Sequence, residues 1–366
     1  MTQLNTHPDF SSWLKLDPYT LGHTIKGRML TDAMVQLTLW HWNRCEPYRR
    51  IMELQRIDIN SIKQLEDIPF IPVNLFKELD LLSINTHSIF KTMTSSGTSG
   101  QKLSRIFLDR STAAMQSKVL SRLIVDLLGK KRLPMLVIDS PNALKDRQAF
   151  SARGAGILGF SMFGQDVTYA LDANMNLDEQ GIDTFISRHA GSPIFVFGFT
   201  FMIWQYFVQP MLLKKIKFSL NMGILMHGGG WKKIQDQSVT SSLFRSAIHE
   251  CCGIKRIVNY YGMVEQTGSL FLECQAGHLH APAYADVIVR DPRNFDVAPF
   301  GSKGIIEVMS ILPGSYPGHA LLTEDEGVLL GEDDCSCGRL GKYFSVLGRL
   351  PQAEIRGCSD THEVNL

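Results

Sequence analysis

Residues Thr92 to Lys102 read TMTSSGTSGQK: six hydroxyl side chains, two glycines and a terminal lysine in one short run. Such a stretch can turn backbone N–H groups toward an anion while hydroxyls and an ammonium supply further donors. It can equally be a polar connection. The spacing departs from G-x-x-x-x-G-K-[ST], because Gly97 and Gly100 stand too close together and Leu103 follows Lys102, which disfavours an ordinary P-loop kinase or ATPase. A second candidate is HGGGWKK, where Gly228, Gly229 and Gly230 give either a tight turn or a backbone that a ligand can approach. A third is a set of soft ligands. Cys274 and His280 form a Cys-x5-His pair and Cys335 and Cys337 a Cys-x-Cys pair, the ligand types and number of a closed tetrahedral zinc site. His278 competes with His280, and free buried cysteines are the alternative; Cys251-Cys252 reads as helix packing.

The elements that must position these residues are legible from periodicity. The first 90 or so residues read mostly as helix, with LTDAMVQLTLWHWNRCEPYRRIMEL the strongest run, broken by Pro47. From about residue 100 short apolar strands alternate with amphipathic helices: SRIFLD, LPMLVID, PIFVFGF, NMGILMHGGG and KRIVNYYG as strands, AAMQSKVLSRLIVDLLG and LFRSAIHECCG as helices. In PIFVFGF the reading is a strand from Ile194 to Phe197, a turn at Gly198 and a helix from about Phe201. This alternation predicts an α/β fold with mainly parallel sheet and flanking helices, with ligands beyond the carboxyl ends of the strands. Between AYADVIVRDP and GHALLTEDEGVLL the pattern changes to short strands and turns, a smaller β-rich subdomain.

Composition narrows the partners. A chain of 366 residues can bury a large core, and 37 basic against 36 acidic residues leave a formal charge of +1. No long run of either sign is present, so neither a nucleic-acid surface nor an anionic-membrane surface is expected, and the ligand is expected to be small. PIFVFGFTFMIWQYFVQPMLL is interrupted by Gln205, Gln209 and Pro210 and falls short of a membrane span. The N-terminus lacks a basic segment followed by an apolar one, and the seven cysteines crowd toward the C-terminus. A reducing, cytoplasmic location follows as the expectation.

Taken together, four segments in order resemble the adenylate-forming enzymes of the acyl-CoA synthetase superfamily: TSSGTSGQK, NYYGMVEQTG, LLTEDEG and LGRLPQAEIRG. The third matches the Thr-x-Asp ribose element of that superfamily with Glu324 in place of the usual glycine. The chain most resembles the acyl-protein synthetases of the LuxE type, which share FTSSGT-like and GGGWK segments, here MTSSGTSG and HGGGWKK, and a similar length, and next the phenylacetate-CoA ligases, whose CPCGR segment CSCGR resembles. The resemblance implies a helical N-terminal part of the adenylation domain (1–90), an α/β nucleotide-binding core (91–275), a β-rich subdomain (276–347) and a hinge remnant with flexible tail (348–366), without the C-terminal lid domain of larger relatives.

It also implies roles. Thr94, Ser95, Ser96, Gly97, Thr98, Gly100 and Lys102 would hold the β- and γ-phosphates of ATP; Gly228, Gly229, Gly230, Tyr261 and Gly262 would surround the adenine; Glu265 would bind Mg²⁺ or orient the phosphates. Asp325 would meet the ribose and Arg349 the same sugar or the phosphate, and Cys358, in RGCS beside Arg356, would take the acyl group from acyl-AMP as a thioester. Structural Zn²⁺ on Cys274, His280, Cys335 and Cys337 would pin the β-rich subdomain to the core. The implied substrate is a carboxylic acid, with a fatty acid suggested by family alone, and the implied partner is an acyl reductase, acyl-transferase or carrier protein. Two other readings stay open: an acyl-AMP ligase that transfers to an external thiol or amine such as coenzyme A, and a non-catalytic nucleotide-binding scaffold.

Overall fold

Helix α1 (His23–Arg44) forms because Leu30, Met34, Leu37 and Trp40 recur at three- and four-residue spacing and all are buried. It ends where Cys45 takes an extended conformation (φ −111°, ψ 99°), and Pro47 starts helix α2 (Glu46–Leu54), as a proline without an N–H is tolerated only in a first turn. In this computed structural model the residues described are 7–95, 102–144, 152–230 and 239–350. They fall into two compact units, Met1–Leu123 with Gly262–Leu366, and Ile124–Tyr261.

In chain order the strands are β1 (Ile71–Pro72), β2 (Lys91–Thr94), β3 (Arg105–Leu108), β4 (Leu133–Ile138), β5 (Gly164–Tyr169), β6 (Ile194–Phe199), β7 (Gly223–Gly228), β8 (Arg256–Tyr261), β9 (Phe271–Glu273), β10 (Leu279–His280), β11 (Ala285–Arg290), β12 (Lys303–Ser310), β13 (Ala320–Glu332) and β14 (Lys342–Arg349).

The unit Ile124–Tyr261 holds a wholly parallel sheet in the order β5-β4-β6-β7-β8. LPMLVI and IFVFGF are apolar throughout and almost wholly buried, the signature of strands covered on both faces. Phe185, Phe207, Met211, Phe244 and Ile248 belong to the apolar cluster that contains Leu136 and Val196 of the sheet. Gly198 corrects one expectation: it is not a turn but part of β6, paired with Ile138 and His227. The chain needs glycine there for packing, since a Cβ would stand 2.9 Å from Ile203 and 3.1 Å from Ile138.

The other unit is antiparallel, in the order β11-β12-β13-β14-β10-β9, with β1 added in parallel to β13. SRIFLD does not join either large sheet; β3 pairs with β2 in a separate two-stranded hairpin. Buried Arg290 is paired with Glu307 and also donates to the carbonyls of Phe295 and Glu66, each at 3.0 Å. Among the described residues no helix is long and apolar enough to cross a membrane.

Residues 311–319, ILPGSYPGH, form a connection that is buried along its whole length. A buried loop must find a partner for each polar backbone group. Trp40 Nε1 donates to the Gly314 carbonyl at 2.8 Å, the Ser83 N–H donates to the Ser315 carbonyl at 2.9 Å, and a His41 Nε2–H completes a 3.0 Å bond to the Pro313 carbonyl. His319 stacks on His41 with ring centroids 5.0 Å apart and shares a 3.0 Å hydrogen bond with Thr38.

Burial holds His319 at about 3, pushes His41 well below the usual histidine range, and with Arg245 nearby holds His227 at about 3. An unfolded histidine titrates near 6.5, so below that pH the unfolded chain binds protons that the folded chain refuses, and stability falls by about 1.4 kcal/mol per pH unit per histidine. The thermal midpoint is therefore expected to drop between about pH 7 and about pH 5, with a shallower slope in His319→Gln. A flat profile in the unaltered protein would contradict this reading.

Candidate active-site segments and a cysteine–histidine cluster

Thr94 closes β2 opposite Arg105, and the hairpin continues through Ser95, whose N–H donates to the Ser104 carbonyl at 3.2 Å while its hydroxyl accepts from the Ser104 N–H at 3.0 Å. The hydroxyl-rich run thus starts from a regular antiparallel base. Ser96, Gly97, Thr98 and Gly100 lie outside the described residues, as does Cys358. Lys102 is exposed, and its Nζ lies 2.5 Å from Glu78 Oε2. Such a surface pair contributes little to stability and leaves the ammonium available to a more highly charged anion.

Glu265 sits in a 3₁₀ turn, Val264–Gln266, and is only 7% exposed. Its carbonyl accepts the Tyr316 hydroxyl at 2.9 Å. Gly268, at φ +89°, closes the loop, and a Cβ there would stand 2.9 Å from the Gln116 carbonyl. Asp325 and Arg349 are cross-strand partners on β13 and β14, with Arg349 Nε 3.9 Å from Asp325 Oδ1. The Asp325 N–H donates to Thr323 Oγ1 at 3.1 Å, and Thr323 in turn donates to the Ile306 carbonyl at 2.7 Å. The acidic TEDE stretch is therefore a strand segment, half-buried at Asp325, and not a surface turn.

In the parallel unit, Gly228 ends β7 directly beneath the Tyr260 ring, which a Cβ would approach to 2.5 Å. Gly229 adopts φ +77° and Gly230 has open space around its Cβ position, so the triplet is a turn whose backbone a ligand can reach. His227, one residue earlier, shares a 2.9 Å hydrogen bond with Thr200, whose hydroxyl also lies 3.2 Å from the Gly228 carbonyl. Tyr261 is half-buried at the end of β8, and Gly262 follows it as the first residue of the other unit. Both segments leave the carboxyl ends of parallel strands, where open α/β sheets bind their ligands.

The soft ligands converge. One ligand atom from each of Cys274, His280, Cys335 and Cys337 lies within 4.8 Å of all the others. Cys274 follows β9 and His280 ends β10, and these two strands pair; Cys335 and Cys337 occupy the turn between β13 and β14. Cys274 Sγ is 3.9 Å from Cys335 Sγ, and Cys337 Sγ is 3.4 Å from His280 Nε2. Tetrahedral zinc with ordinary bond lengths requires about 3.8 Å between two sulfurs and about 3.5 Å between sulfur and nitrogen, so the donor set and its spacing fit the ion. Gly277 (φ +82°) and Gly338 (φ +80°) close the two turns by N–H bonds to the Cys274 and Cys335 carbonyls, each 3.0 Å. His278 Nδ1 lies 3.4 Å from Cys335 Sγ, and its ring, like that of His280, stacks on Tyr343, so both histidines stand against the cysteines.

The sequence did not point to Tyr316 or Thr200, whereas His227 and Gln266 lie inside the candidate segments HGGGWKK and NYYGMVEQTG without a role of their own. Tyr316 had only its proline- and glycine-rich surroundings, PGSYPG, as a signal.

A model of the family described as Acyl-protein synthetase, LuxE, matches residues 10–366. The long-chain-fatty-acid–luciferin-component ligase of Vibrio harveyi is 24% identical over 353 residues, spanning 91% of this chain and 87% of the relative. Its namesake from Photorhabdus luminescens is 34% identical over 93 residues, or 25% of this chain and 76% of that protein. Among solved structures, 2-hydroxyisobutyryl-CoA ligase in the postadenylation state, in complex with 2-HIB-AMP, aligns with a TM-score of 0.70 at 16% identity over 94% of this chain and 72% of that one. An open conformation of the same ligase with 2-HIB-AMP and CoA gives 0.69 at 16% identity, over 94% of this chain and 80% of that one. At this identity the likeness speaks for the fold, and it agrees with the parallel and antiparallel sheets described above. With the family match covering all but the first few residues, the chain belongs to the LuxE family of acyl-protein synthetases, acid-activating ligases on the adenylate-forming fold.

Proposed function

We propose that this protein uses ATP to convert a carboxylic acid, of the fatty-acid class, to acyl-AMP and then takes the acyl group onto Cys358. The family match over residues 10–366 is the observation on which the proposal rests. The name of the Vibrio harveyi relative supports the fatty-acid substrate.

In the first half-reaction a carboxylate oxygen attacks the α-phosphorus, the bond to the β-phosphate bridging oxygen breaks, and pyrophosphate leaves. Two anions must approach each other, so positive charge and N–H donors are needed where negative charge gathers. Thr94, Ser95, Ser96, Gly97, Thr98, Gly100 and Lys102 would supply them to the β- and γ-phosphates. The turn at Gly228, Gly229 and Gly230, with Tyr261 and Gly262, would receive the adenine, and Asp325 with Arg349 the ribose. Glu265 would hold Mg²⁺, which when bound would spread the phosphate charge.

In the second half-reaction the Cys358 thiolate attacks the acyl carbonyl, AMP departs, and the thiol proton is lost to solvent. The thioester remains activated for a partner reductase, transferase or carrier protein. A reducing cytoplasm would keep the thiol available. The cysteine–histidine tetrad would hold structural zinc, with Cys274, His280, Cys335 and Cys337 as ligands, joining the β9–β10 pair to the β13–β14 turn.

Pyrophosphate exchange with a panel of carboxylic acids tests the first half-reaction. Exchange with a long-chain acid is expected to fall about 10²-fold in Lys102→Ala, and exchange with no acid at all would favour a scaffold. Cys358→Ser should keep exchange while losing radiolabelled acyl-enzyme; persistence of the label would remove Cys358 from the mechanism, and label appearing on added coenzyme A would point to an external acceptor. For the tetrad, metal analysis of the purified protein should find about one zinc per chain, and Cys335→Ser with Cys337→Ser should lower both zinc content and thermal midpoint. A metal-free protein of unchanged stability would refute the site.

A further inference from the structure

The buried connection at residues 311–319 touches more than one motif-bearing element. Ser315 Oγ donates to the Phe107 carbonyl at 2.8 Å on β3, the return strand of the hairpin that carries Thr94. Two residues after the connection begins at Ile311, Pro313 and Gly314 are held from α1, and at its end Ala320 starts β13, which bears Asp325. Between these anchors Tyr316, fully buried, donates its hydroxyl to the Glu265 carbonyl at 2.9 Å. Phe76 packs against the Tyr316 ring edge to face at 5.9 Å, which restricts where that hydroxyl can point.

A second clamp acts on the next residue. Gln266 Nε2 donates to the carbonyls of Val308 at 3.0 Å and Gly318 at 2.9 Å, and Ser269 Oγ meets Ser310 Oγ at 2.5 Å. Gly318 makes the arrangement sterically possible: a Cβ there would stand 2.3 Å from Tyr316 Cε2 and 2.9 Å from the Glu265 carbonyl oxygen. Burial raises the Tyr316 phenol above its usual range, so it stays protonated and remains a donor at any pH at which the protein is folded. A buried donor–acceptor pair of this kind is costly to break, because the acceptor is left unsatisfied.

We infer that Tyr316 is the positioning residue of Glu265: its hydroxyl, together with the Gln266 clamp, fixes the short backbone turn that carries the Glu265 side chain, the group given the Mg²⁺ role above. The inference rests on the role given to Glu265 in the proposed reaction. Nothing in the fold requires a tyrosine here for packing alone, since phenylalanine would fill the same volume. The hydroxyl and the Gln266 amide together couple the 311–319 connection to the turn that carries Glu265.

The test is Mg²⁺-dependent binding of a non-hydrolysable ATP analogue to the full chain, followed by calorimetry for the unaltered protein, Tyr316→Phe, Glu265→Gln and the double variant. Tyr316→Phe should raise the Mg²⁺ concentration for half-maximal binding about tenfold, the scale of one lost buried hydrogen bond, and excess Mg²⁺ should restore binding. The double variant should be no weaker than Glu265→Gln alone. Thr38→Val, which removes a hydrogen bond from the same connection without touching Glu265, should lower the thermal midpoint and leave the Mg²⁺ dependence unchanged. If Tyr316→Phe does not fold, Gln266→Leu releases the same turn from its other side and should give the same Mg²⁺ shift. Unchanged Mg²⁺ dependence in both, or additive losses in the double variant, overturns the positioning role while leaving Glu265 intact. A Glu265→Gln protein that binds like the unaltered one overturns the role of Glu265 itself.

Discussion

A loop that runs through the interior has few conformations open to it, because each amide it buries must meet a partner. The stretch ILPGSYPGH meets this demand with side chains drawn from other parts of the sequence, Trp40 and His41 of α1 and Gln266 of the turn after β8, while its own Ser315 and Tyr316 donate outward to the carbonyls of Phe107 and Glu265. Its glycines are placed where close approach requires them, as at Gly318 against Tyr316 and Glu265. The cost of leaving any of these groups unpaired ties the β2–β3 hairpin, the Glu265 turn and the start of β13 to one another within the unit. Precision at the surface is thus bought by satisfaction of hydrogen bonds beneath it.

The two sheets divide the labour that the sequence pattern suggests. The parallel sheet ends its strands at Ile138, Tyr169, Phe199, Gly228 and Tyr261, with glycines directly after the last two at Gly229 and Gly262. The antiparallel sheet gives something different, a long two-stranded register in which Asp325 and Arg349 face each other across β13 and β14. A carboxylate and a guanidinium are thereby held at fixed cross-strand positions, 3.9 Å apart.

Much of this was legible in the sequence because it depends on local chemistry. Apolar runs such as LPMLVI and IFVFGF announced buried parallel strands, Pro47 announced the break between α1 and α2, and the Cys-x5-His and Cys-x-Cys spacings named four residues that the fold brings within 4.8 Å of one another. What stayed hidden depends on partners distant in sequence. Gly198 looked like a turn because a glycine's neighbours across a sheet are invisible in one dimension; it is a strand residue that makes room for Ile203. Tyr316 resembled an ordinary loop residue, and only the meeting of segments 51 positions apart, in the Tyr316–Glu265 bond, gives it meaning.

The cysteine–histidine tetrad has a consequence for the chain before it folds. Cys274 and Cys335 are 61 positions apart, and a metal held between them would close a loop of that length in any state that retains the ligands. In the chain-entropy picture used for cross-links, such closure removes about 4 kcal/mol of freedom from the disordered ensemble. The strands β10 to β13 lie inside that loop, so an early-captured ion would act as a template for the antiparallel sheet, shortening the search for long-range pairings that otherwise make such sheets slow to form.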